Sequence, residues 1–277
     1  MRLPDFLFIG ADRSGSTWLF RVLRAHPQCF VPPAKDLYYF DRFYRRGLDW
    51  YAAFFREAPA SAVAGELSHD YLYSPEAADR IASVLPDARL LVFLRHPVDR
   101  AFSEYLFLVR SGLVRSGELR RTLAENPDPV EHSRYARYLH AYLDRFPRER
   151  VGVFLYDELQ QDPAAFARRV FEFLGVGFVD GLPYGERALG AARPRSRVIA
   201  RGVKAAATVT RGAGFPTLVG RVKSSPVARL LYVQYPEAER PRLSPEDRAW
   251  LHAQLDPELP RLEEMLGRSL AHWAAGS

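Results

Sequence analysis

The chain has 277 residues, a length that fits one large α/β domain or one domain with a helical extension. Hydrophobic residues make up 48% and charged residues 26%, a balance that excludes a chain disordered throughout. The net charge of +6 is carried mainly by arginine, because the lysines are Lys35, Lys204 and Lys223. A positive balance suits a protein that holds a phosphate-rich ligand, but there is no basic cluster of the kind that marks a nucleic-acid surface.

Cysteine content and hydropathy narrow the class of protein further. Cys29 is the single cysteine, so neither an intrachain disulfide nor a cysteine-built metal site is expected. The first apolar run, residues 6–9, is too short for a signal sequence or a membrane span, and no later segment has 18 uninterrupted apolar residues. We therefore expect a cytoplasmic protein without a membrane span.

Strands and helices are predicted to alternate along most of the chain. Residues 6–9 form a continuous apolar run that ends at Gly10, which is typical of a buried parallel strand. Further strands are predicted at residues 63–67, 90–94 and 151–156. Helices are predicted at residues 17–25, 75–84, 97–109, 135–146, 163–174, 244–255 and 259–266. This order predicts an α/β fold with a central parallel sheet flanked by helices, plus a helical C-terminal extension.

Residues 177–220 interrupt this pattern. Their periodicity is weak, and glycine, proline and arginine are frequent, including Arg193, Arg195 and Arg197. A stretch of this length without regular structure predicts a functional segment, such as a lid, rather than a domain boundary. No internal repeat is visible, so we expect a single domain over residues 1–277.

A phosphate-binding loop is predicted between the first strand and the first helix. The residues from Gly10 to Thr17 read Gly-Ala-Asp-Arg-Ser-Gly-Ser-Thr. Such a turn aims backbone N–H groups and the positive end of the helix at one point, where a phosphate would bind. The spacing matches the nucleoside-triphosphate loop GxxxxGK[ST], except that Ser16 replaces the lysine and the cation lies earlier, at Arg13. Because kinases and ATPases of that type need the lysine, triphosphate chemistry is disfavoured.

A second candidate site follows the strand predicted at residues 90–94. Ligands of open parallel sheets bind where the strands end, and Arg95 emerges at that edge. Ser103 lies two turns into the next helix, where its hydroxyl is available to a second phosphate. The alternatives are a surface ion pair for Arg95 and an ordinary helix position for Ser103.

Together these blocks resemble the sulfotransferases that use 3′-phosphoadenosine 5′-phosphosulfate (PAPS), especially the heparan-sulfate and related bacterial branch. The similarity is almost continuous over residues 6–110 and weaker over residues 150–175 and 243–273. It includes the blocks at residues 35–41, 47–51 and 65–72. In that family one block holds the 5′-phosphosulfate, another the 3′-phosphate, and a late loop closes over the nucleotide. The resemblance implies a nucleotide site formed by Arg13, Ser14, Gly15, Ser16, Thr17, Trp18, Arg95, Ser103, Arg193 and Arg195.

The resemblance also implies a P-loop-like fold and a chemistry. A sulfuryl group would pass from PAPS to a hydroxyl, leaving adenosine 3′,5′-bisphosphate (PAP), with no metal ion. The sequence departs from the family at three positions. Arg13 replaces the usual loop lysine and keeps its charge without readily giving up a proton. Leu67 replaces a second catalytic lysine of the heparan-type enzymes, and Asp36 replaces a glutamate one methylene longer.

Asp36 is predicted to be the general base, because the resembling enzymes keep a carboxylate at that position facing the acceptor hydroxyl. His69 and His26 are the alternative bases, although a lone histidine is more often structural, and Arg13 would stabilise the leaving phosphate. The aromatic residues within 38–44 are expected to line an acceptor pocket in part. We expect a small hydroxylated acceptor and no nucleic-acid partner. A P-loop-type nucleotide kinase and a non-catalytic nucleotide-binding protein are the alternative functions.

Overall fold

The computed structural model describes residues 1–114, 117, 119–186, 192–194, 196–219, 232–234 and 241–275. The chain divides into two compact units. The first comprises Met1–Arg95 and Arg137–Ala188, and the second comprises His96–Ala136 and Leu189–Ser277. Within the described ranges, no helix combines the length and hydrophobicity that crossing a bilayer requires. The single domain expected over residues 1–277 stays a prediction.

The first unit is built on a five-stranded parallel sheet. Its strands are β1 (Phe6–Gly10), β2 (Cys29–Phe30), β3 (Val63–Leu67), β4 (Arg89–Leu94) and β5 (Val151–Leu155). The spatial order is β2-β3-β1-β4-β5, with every neighbouring pair parallel, which confirms the predicted α/β fold with a central parallel sheet. Because all the strands run the same way, the segments that follow β1, β3 and β4 meet at one edge of the sheet.

The helices, in chain order, are α1 (Ser16–Ala25), α2 (Leu48–Ala52), α3 (Pro75–Val84), α4 (Pro97–Arg110), α5 (Leu119–Glu125), α6 (Asp128–Glu131), α7 (Ala136–Leu143), α8 (Tyr156–Gln161), α9 (Pro163–Leu174), α10 (Arg197–Gly212), α11 (Pro245–Leu255) and α12 (Leu259–Leu266). Several ends are set by the signals that predicted them. Ser74 Oγ accepts a hydrogen bond of 3.1 Å from the N–H of Ala77 at the start of α3, and Gly175 ends α9 in the left-handed conformation at φ 75°. The strand predicted at residues 151–156 is one residue shorter, because Tyr156 begins α8.

Helices α1 and α9 contribute to one continuous core with the sheet. Trp18, Leu19, Val22 and Leu23 recur at helical spacing on α1 and are buried. They belong to a cluster that includes β1 and β4 side chains and the buried residues of α9. This packing holds α1 in place directly after β1, so the connecting loop is short and anchored at both ends.

The second unit has its own core and an unexpected helix. Buried side chains of α4 and α11, including Val98, Tyr105 and Leu251, pack together. Strands β6 (Ala192–Pro194) and β7 (Tyr232–Gln234) form an antiparallel pair. Helix α10 lies in the segment for which irregular structure was predicted. Ser196 caps it with its hydroxyl, and its basic and apolar residues recur at helical spacing, although most of its described side chains are exposed. The glycines at 202 and 212, which disfavour a helix, masked this pattern in the sequence.

Candidate active site

The loop between β1 and α1 has an unusual backbone. Arg13 has φ 60° and Gly15 has φ 105°, both in the left-handed region. A Cβ at Gly15 would lie 3.0 Å from Leu159 Cδ2, so both conformation and space require glycine there. Ser14 is fully buried, and its hydroxyl donates to the carbonyl of Asp12 over 3.2 Å. Strained backbone of this kind is typical of sites where amide groups are directed at a ligand.

The first turn of α1 starts immediately after this loop. The earliest α1 hydrogen bond closes from the N–H of Leu19 to the carbonyl of Gly15 over 3.0 Å. The amides of Ser16, Thr17 and Trp18 precede it, at the positions where a helix has no internal acceptor for its N–H groups. This end of α1 therefore has the chemistry of an anion site, as the sequence predicted.

Lys35 lies at this helix end, a contact that the sequence analysis missed. Its Nζ donates to Ser16 Oγ over 3.0 Å and to Thr17 Oγ1 over 3.1 Å. Ser16 occupies the position of the lysine in a triphosphate loop, so a lysine from a different segment brings the missing charge back to the loop. The one available signal was that Lys35 adjoins the candidate base and is one of the few lysines in an arginine-rich chain.

Arg95 lies beside the phosphate loop. Its Nη1 donates to the carbonyl of Arg13 over 3.3 Å, and its guanidinium carbon is 5.0 Å from the centroid of the Tyr156 ring. The structure thus brings the residue that follows β4 to the loop that follows β1. The remaining predicted nucleotide residues belong to the second unit. Ser103 lies in α4 and Arg193 in β6, of which only the backbone is described, while Arg195 lies outside the described residues.

Asp36 and His69, the two candidate bases, are hydrogen-bonded to each other. Asp36 Oδ1 lies 2.9 Å from His69 Nδ1, and the Asp36 side chain is almost fully buried. The N–H of Asp36 donates to the carbonyl of Leu67 over 2.7 Å, which fixes it at the end of β3, next to His69. Asp36 also has a left-handed backbone, with φ 65°. The structure therefore presents one carboxylate–imidazole pair where the sequence offered two alternatives.

The charge state of His69 follows from its surroundings. Burial lowers the pKa of the imidazole, but the carboxylates of Asp36 and Asp70 outweigh it and raise the pKa from its ordinary value of 6.5 to about 9. Asp70 Oδ1 lies 3.2 Å from His69 Nε2, and its other oxygen is paired with Arg42. A pKa raised in this way favours the protonated imidazole at neutral pH, with the Asp36 carboxylate as its partner.

Glu66 is buried and accepts three hydrogen bonds from hydroxyl groups. The donors are Tyr51 at 3.0 Å, Tyr71 at 2.6 Å and Ser68 at 2.9 Å. Burial raises the pKa of the carboxyl to about 7, and the three hydroxyls oppose that shift. Glu66 is 1% exposed, so it is out of reach of an acceptor.

The same network holds the backbone that follows Asp36. Ser68 Oγ accepts from the N–H of Tyr38 over 3.1 Å, and the hydroxyl of Tyr71 accepts from the N–H of Tyr39 over 2.8 Å. Because these hydroxyls are themselves oriented by Glu66, the carboxylate fixes the turn that presents Asp36. Glu66 thus acts through other residues.

Of the five aromatic residues within 38–44, four pack against other aromatic rings, and Tyr38 lies next to His69. Tyr39 and Phe40 are buried, and the Tyr39 ring stacks on Tyr51 with centroids 4.4 Å apart, so these rings belong to the core. Tyr38 is the one whose ring packs edge-on against His69, at 5.9 Å, with the Arg42 guanidinium carbon 4.2 Å from its centroid. Tyr38 is therefore the aromatic residue of this run that lies beside the candidate base.

Two other sequence candidates have structural partners. Trp18 Nε1 donates to the carbonyl of Tyr184 over 2.8 Å and the ring is buried, so its amide is the group that can meet a phosphate. His26 is 2% exposed. Its Nδ1 accepts from the N–H of Gln28 over 3.1 Å and its Nε2 lies 2.8 Å from the carbonyl of Gly177. With both ring nitrogens engaged, His26 has a structural role.

Comparisons with known proteins agree with this geometry. The profile of the sulfotransferase family matches residues 71–180. Human heparan sulfate glucosamine 3-O-sulfotransferase 6 is 30% identical over 212 residues, which are 70% of this chain and 62% of that protein. A membrane-associated sulfotransferase of Dictyostelium discoideum is 35% identical over 111 residues, 39% of this chain and 24% of that protein. The chain thus spans less than two thirds of the length of these relatives.

Solved structures extend the likeness to the whole chain. The crystal structure of a sulfotransferase from Alicyclobacillus acidocaldarius superposes with a TM-score of 0.72 at 26% identity, covering 99% of each chain. The sulfotransferase domain of the curacin biosynthetic pathway shares the fold, with a TM-score of 0.51 at 20% identity over 68% of this chain and 80% of that one.

The parallel sheet, the loop that opens onto α1 and the cations beside it define an α/β fold with a candidate anion site at one edge of the sheet. The family profile, the heparan sulfate 3-O-sulfotransferase and the solved structure that matches the full length are all sulfotransferases. This chain is therefore similar to sulfotransferases in sequence and in fold, as its resemblance to the PAPS-dependent enzymes predicted.

Proposed function

We propose that this protein transfers a sulfuryl group from PAPS to a hydroxyl of a small acceptor, releasing PAP. The observation that carries the proposal is the meeting of three features at one edge of the sheet. These are the loop with Arg13, the Arg95 side chain bonded to that loop, and the Asp36–His69 pair. A phosphate site beside a buried base is the arrangement that transfer to a hydroxyl requires.

On the acceptor side, Asp36 takes the proton of the hydroxyl as its oxygen attacks sulfur. His69 holds the carboxylate in place through the 2.9 Å contact. Because Asp36 is shorter than glutamate, the acceptor hydroxyl has to come close to the backbone. Deprotonation by a positioned base contributes about 10²–10⁴-fold to such reactions.

On the leaving side, the bond from sulfur to the bridging phosphate oxygen breaks and its electron pair stays on that oxygen. The charge that develops there is stabilised by the loop amides and by Arg13, and hydrogen bonds to the carbonyls of Asp12 and Arg13 hold the loop in place for this role. Arg13 donates hydrogen bonds and charge, and the proton balance closes at Asp36.

Two sets of contacts would hold the two ends of the nucleotide. The amides and hydroxyls of residues 14–18 bind the 5′-phosphosulfate, and Arg95 with Ser103 binds the 3′-phosphate. The stacking of Arg95 on Tyr156 supports this role, because it fixes the guanidinium beside the loop. Arg193 and Arg195 are proposed as the late arginines that reach the nucleotide.

The recessed position of Asp36 favours a small hydroxylated metabolite or lipid over a rigid polymer. Its side chain is 7% exposed, and Tyr38 packs against its partner His69. The hydroxyl of a small molecule or of a lipid reaches such a carboxylate more easily than a hydroxyl within a polysaccharide chain. Some relatives are heparan sulfate enzymes by name, so a heparan-type oligosaccharide is the decisive competitor in a test.

The test is an acceptor screen with sulfur-labelled PAPS and the pure protein. Hydroxylated metabolites, lipid alcohols and a heparan-type oligosaccharide are compared, and Asp36→Asn serves as the inactive control. We expect a labelled sulfate ester on a small acceptor, with one PAP released per ester. A preference for the oligosaccharide would refute the acceptor class, and formation of ADP from ATP would refute the reaction.

A further inference from the structure

The phosphate loop has Ser16 where triphosphate-binding loops have a lysine, and the ammonium group of Lys35 lies next to that position. Its Nζ is bonded to the hydroxyls of both Ser16 and Thr17, on the first turn of α1. A lysine ammonium only donates hydrogen bonds, so both hydroxyls accept from it and keep their own O–H for donation to a ligand. A phosphate oxygen bonded to Ser16 Oγ at about 2.7 Å lies within about 6 Å of the Lys35 charge.

Lys35 is adjacent in sequence to Asp36, the candidate base. Lys35 directly precedes Asp36, whose amide is fixed to the carbonyl of Leu67. One dipeptide therefore carries an ammonium to the phosphate loop and a carboxylate to His69. In an in-line displacement these are the two charges required, one at the leaving oxygen and one at the attacking oxygen.

We propose that Lys35 is a catalytic residue that contacts the 5′-phosphosulfate at the loop and stabilises the leaving phosphate, an inference that rests on the proposed sulfuryl transfer. As the bond between sulfur and the bridging oxygen breaks, the electron pair stays on that oxygen and Lys35 donates a hydrogen bond to the same phosphate. The acceptor proton goes to Asp36, so Lys35 ends the reaction still protonated. Lys35 and Arg13 together take over the work of the usual loop lysine.

The chain allows a direct test of the contact, because its lysines are Lys35, Lys204 and Lys223. The native protein is labelled with a limiting amount of an amine-reactive reagent, with and without PAP, and the modified peptides are quantified by mass spectrometry. We expect saturating PAP to slow the labelling of Lys35 at least fivefold. Lys204, on α10 with its Nζ 5.0 Å from the Phe107 ring, is the internal control and should react at the same rate in both samples.

The outcomes separate this inference from the function on which it rests. If calorimetry shows that PAP binds but Lys35 labels at an unchanged rate, Lys35 does not contact the nucleotide and the inference is wrong while the function stands. If PAP does not bind at all, the proposed function fails and the inference fails with it.

Variants test the energetic role with a matched ligand. Lys35→Met should weaken PAP binding about tenfold or more but leave adenosine 3′-phosphate, which has no 5′-phosphate, unchanged. Turnover of Lys35→Met should fall about 10²–10³-fold, and Lys35→Arg should recover part of that loss. Arg56→Met, at an exposed basic residue outside the proposed site, is the control that should match wild type. Equal weakening of both nucleotides by Lys35→Met would overturn the proposal, because it would indicate a general disturbance of the fold.

Discussion

Replacing Asp36 by asparagine keeps the shape of the side chain and removes its charge, so it isolates the proposed base. In the wild type, burial lowers the pKa of His69 and the carboxylates of Asp36 and Asp70 raise it, with about 9 as the result. Without the charge of Asp36 the lowering effect of burial remains. We expect the pKa of His69 to fall by more than one unit, toward 6.5, so that at pH 8 the imidazole changes from mostly protonated to mostly neutral.

The same pair makes the stability of the protein depend on pH. The folded-state pKa of His69 is raised from 6.5 to about 9, and each unit corresponds to about 1.4 kcal/mol. The stabilisation is therefore fully present below pH 6.5 and is lost as the pH rises through about 9. Its upper limit is about 3 kcal/mol of unfolding free energy. In Asp36→Asn the decline between pH 6.5 and 9 should be much smaller.

Activity gives the second measurement on this variant. Turnover should fall about 10²–10⁴-fold, because the acceptor proton loses its base, while the affinity for PAP stays at the wild-type value. A loss of both would indicate that the fold at the loop had changed.

The assay is an NMR titration of the histidine side chains in wild type and Asp36→Asn, with His69→Gln to assign the resonance. Urea unfolding at several pH values gives the stability curve in parallel. If the pKa of His69 is the same in both proteins, the charge of Asp36 does not raise it and the proposed pair is wrong. If Asp36→Asn turns over like wild type while His69→Ala is inactive, the base is His69.

Three further predictions follow from the site. Arg95→Ala should weaken PAP binding about tenfold or more and AMP binding little, by calorimetry; equal affinity of the wild type for PAP and AMP would contradict the 3′-phosphate site. Arg13→Ala should lower kcat more than nucleotide affinity, and Arg13→Lys should stay substantially active; wild-type turnover of Arg13→Ala would exclude its role. Glu66→Gln should lower the free energy of unfolding by about 1–3 kcal/mol, because its amide cannot accept all three hydroxyl donors. The pKa of Glu66 is raised from 4.5 to about 7, so the free energy of unfolding of the wild type should decrease as the pH rises from 4.5 to 7. Glu66→Gln should not show this decrease. Identical urea unfolding curves for the two proteins would show that the network does not contribute to stability.

Much of the fold was predictable because its signals are local. The run at residues 6–9, the Ser74-Pro75 helix start and the Gly175 helix end depend on neighbours within one turn or strand. Strand β2 has two residues, too few for any periodicity. Helix α10 has a helical spacing of basic and apolar residues, but it was missed because the frequent glycines, prolines and arginines of residues 177–220 were read as irregular structure.

The site was predictable as a set of residues but not as an arrangement. The sequence identified the phosphate loop, Asp36, His69 and Arg95 as candidates, and the resemblance suggested their roles. That Asp36 and His69 share a hydrogen bond depends on β2 lying next to β3, across 33 positions of sequence. The contact of Lys35 with Ser16 and Thr17 depends on the same topology, and no spacing rule connects those residues.

Sulfuryl transfer itself is the decisive assay, with PAP and the labelled ester detected in the same reaction. With PAPS and a hydroxylated acceptor, we expect equal amounts of the two products from the wild type and at least a hundredfold less from Asp36→Asn. Tight binding of PAP without an ester on any acceptor of the screen would contradict it, and would make the protein a nucleotide-binding member of the family without transfer activity.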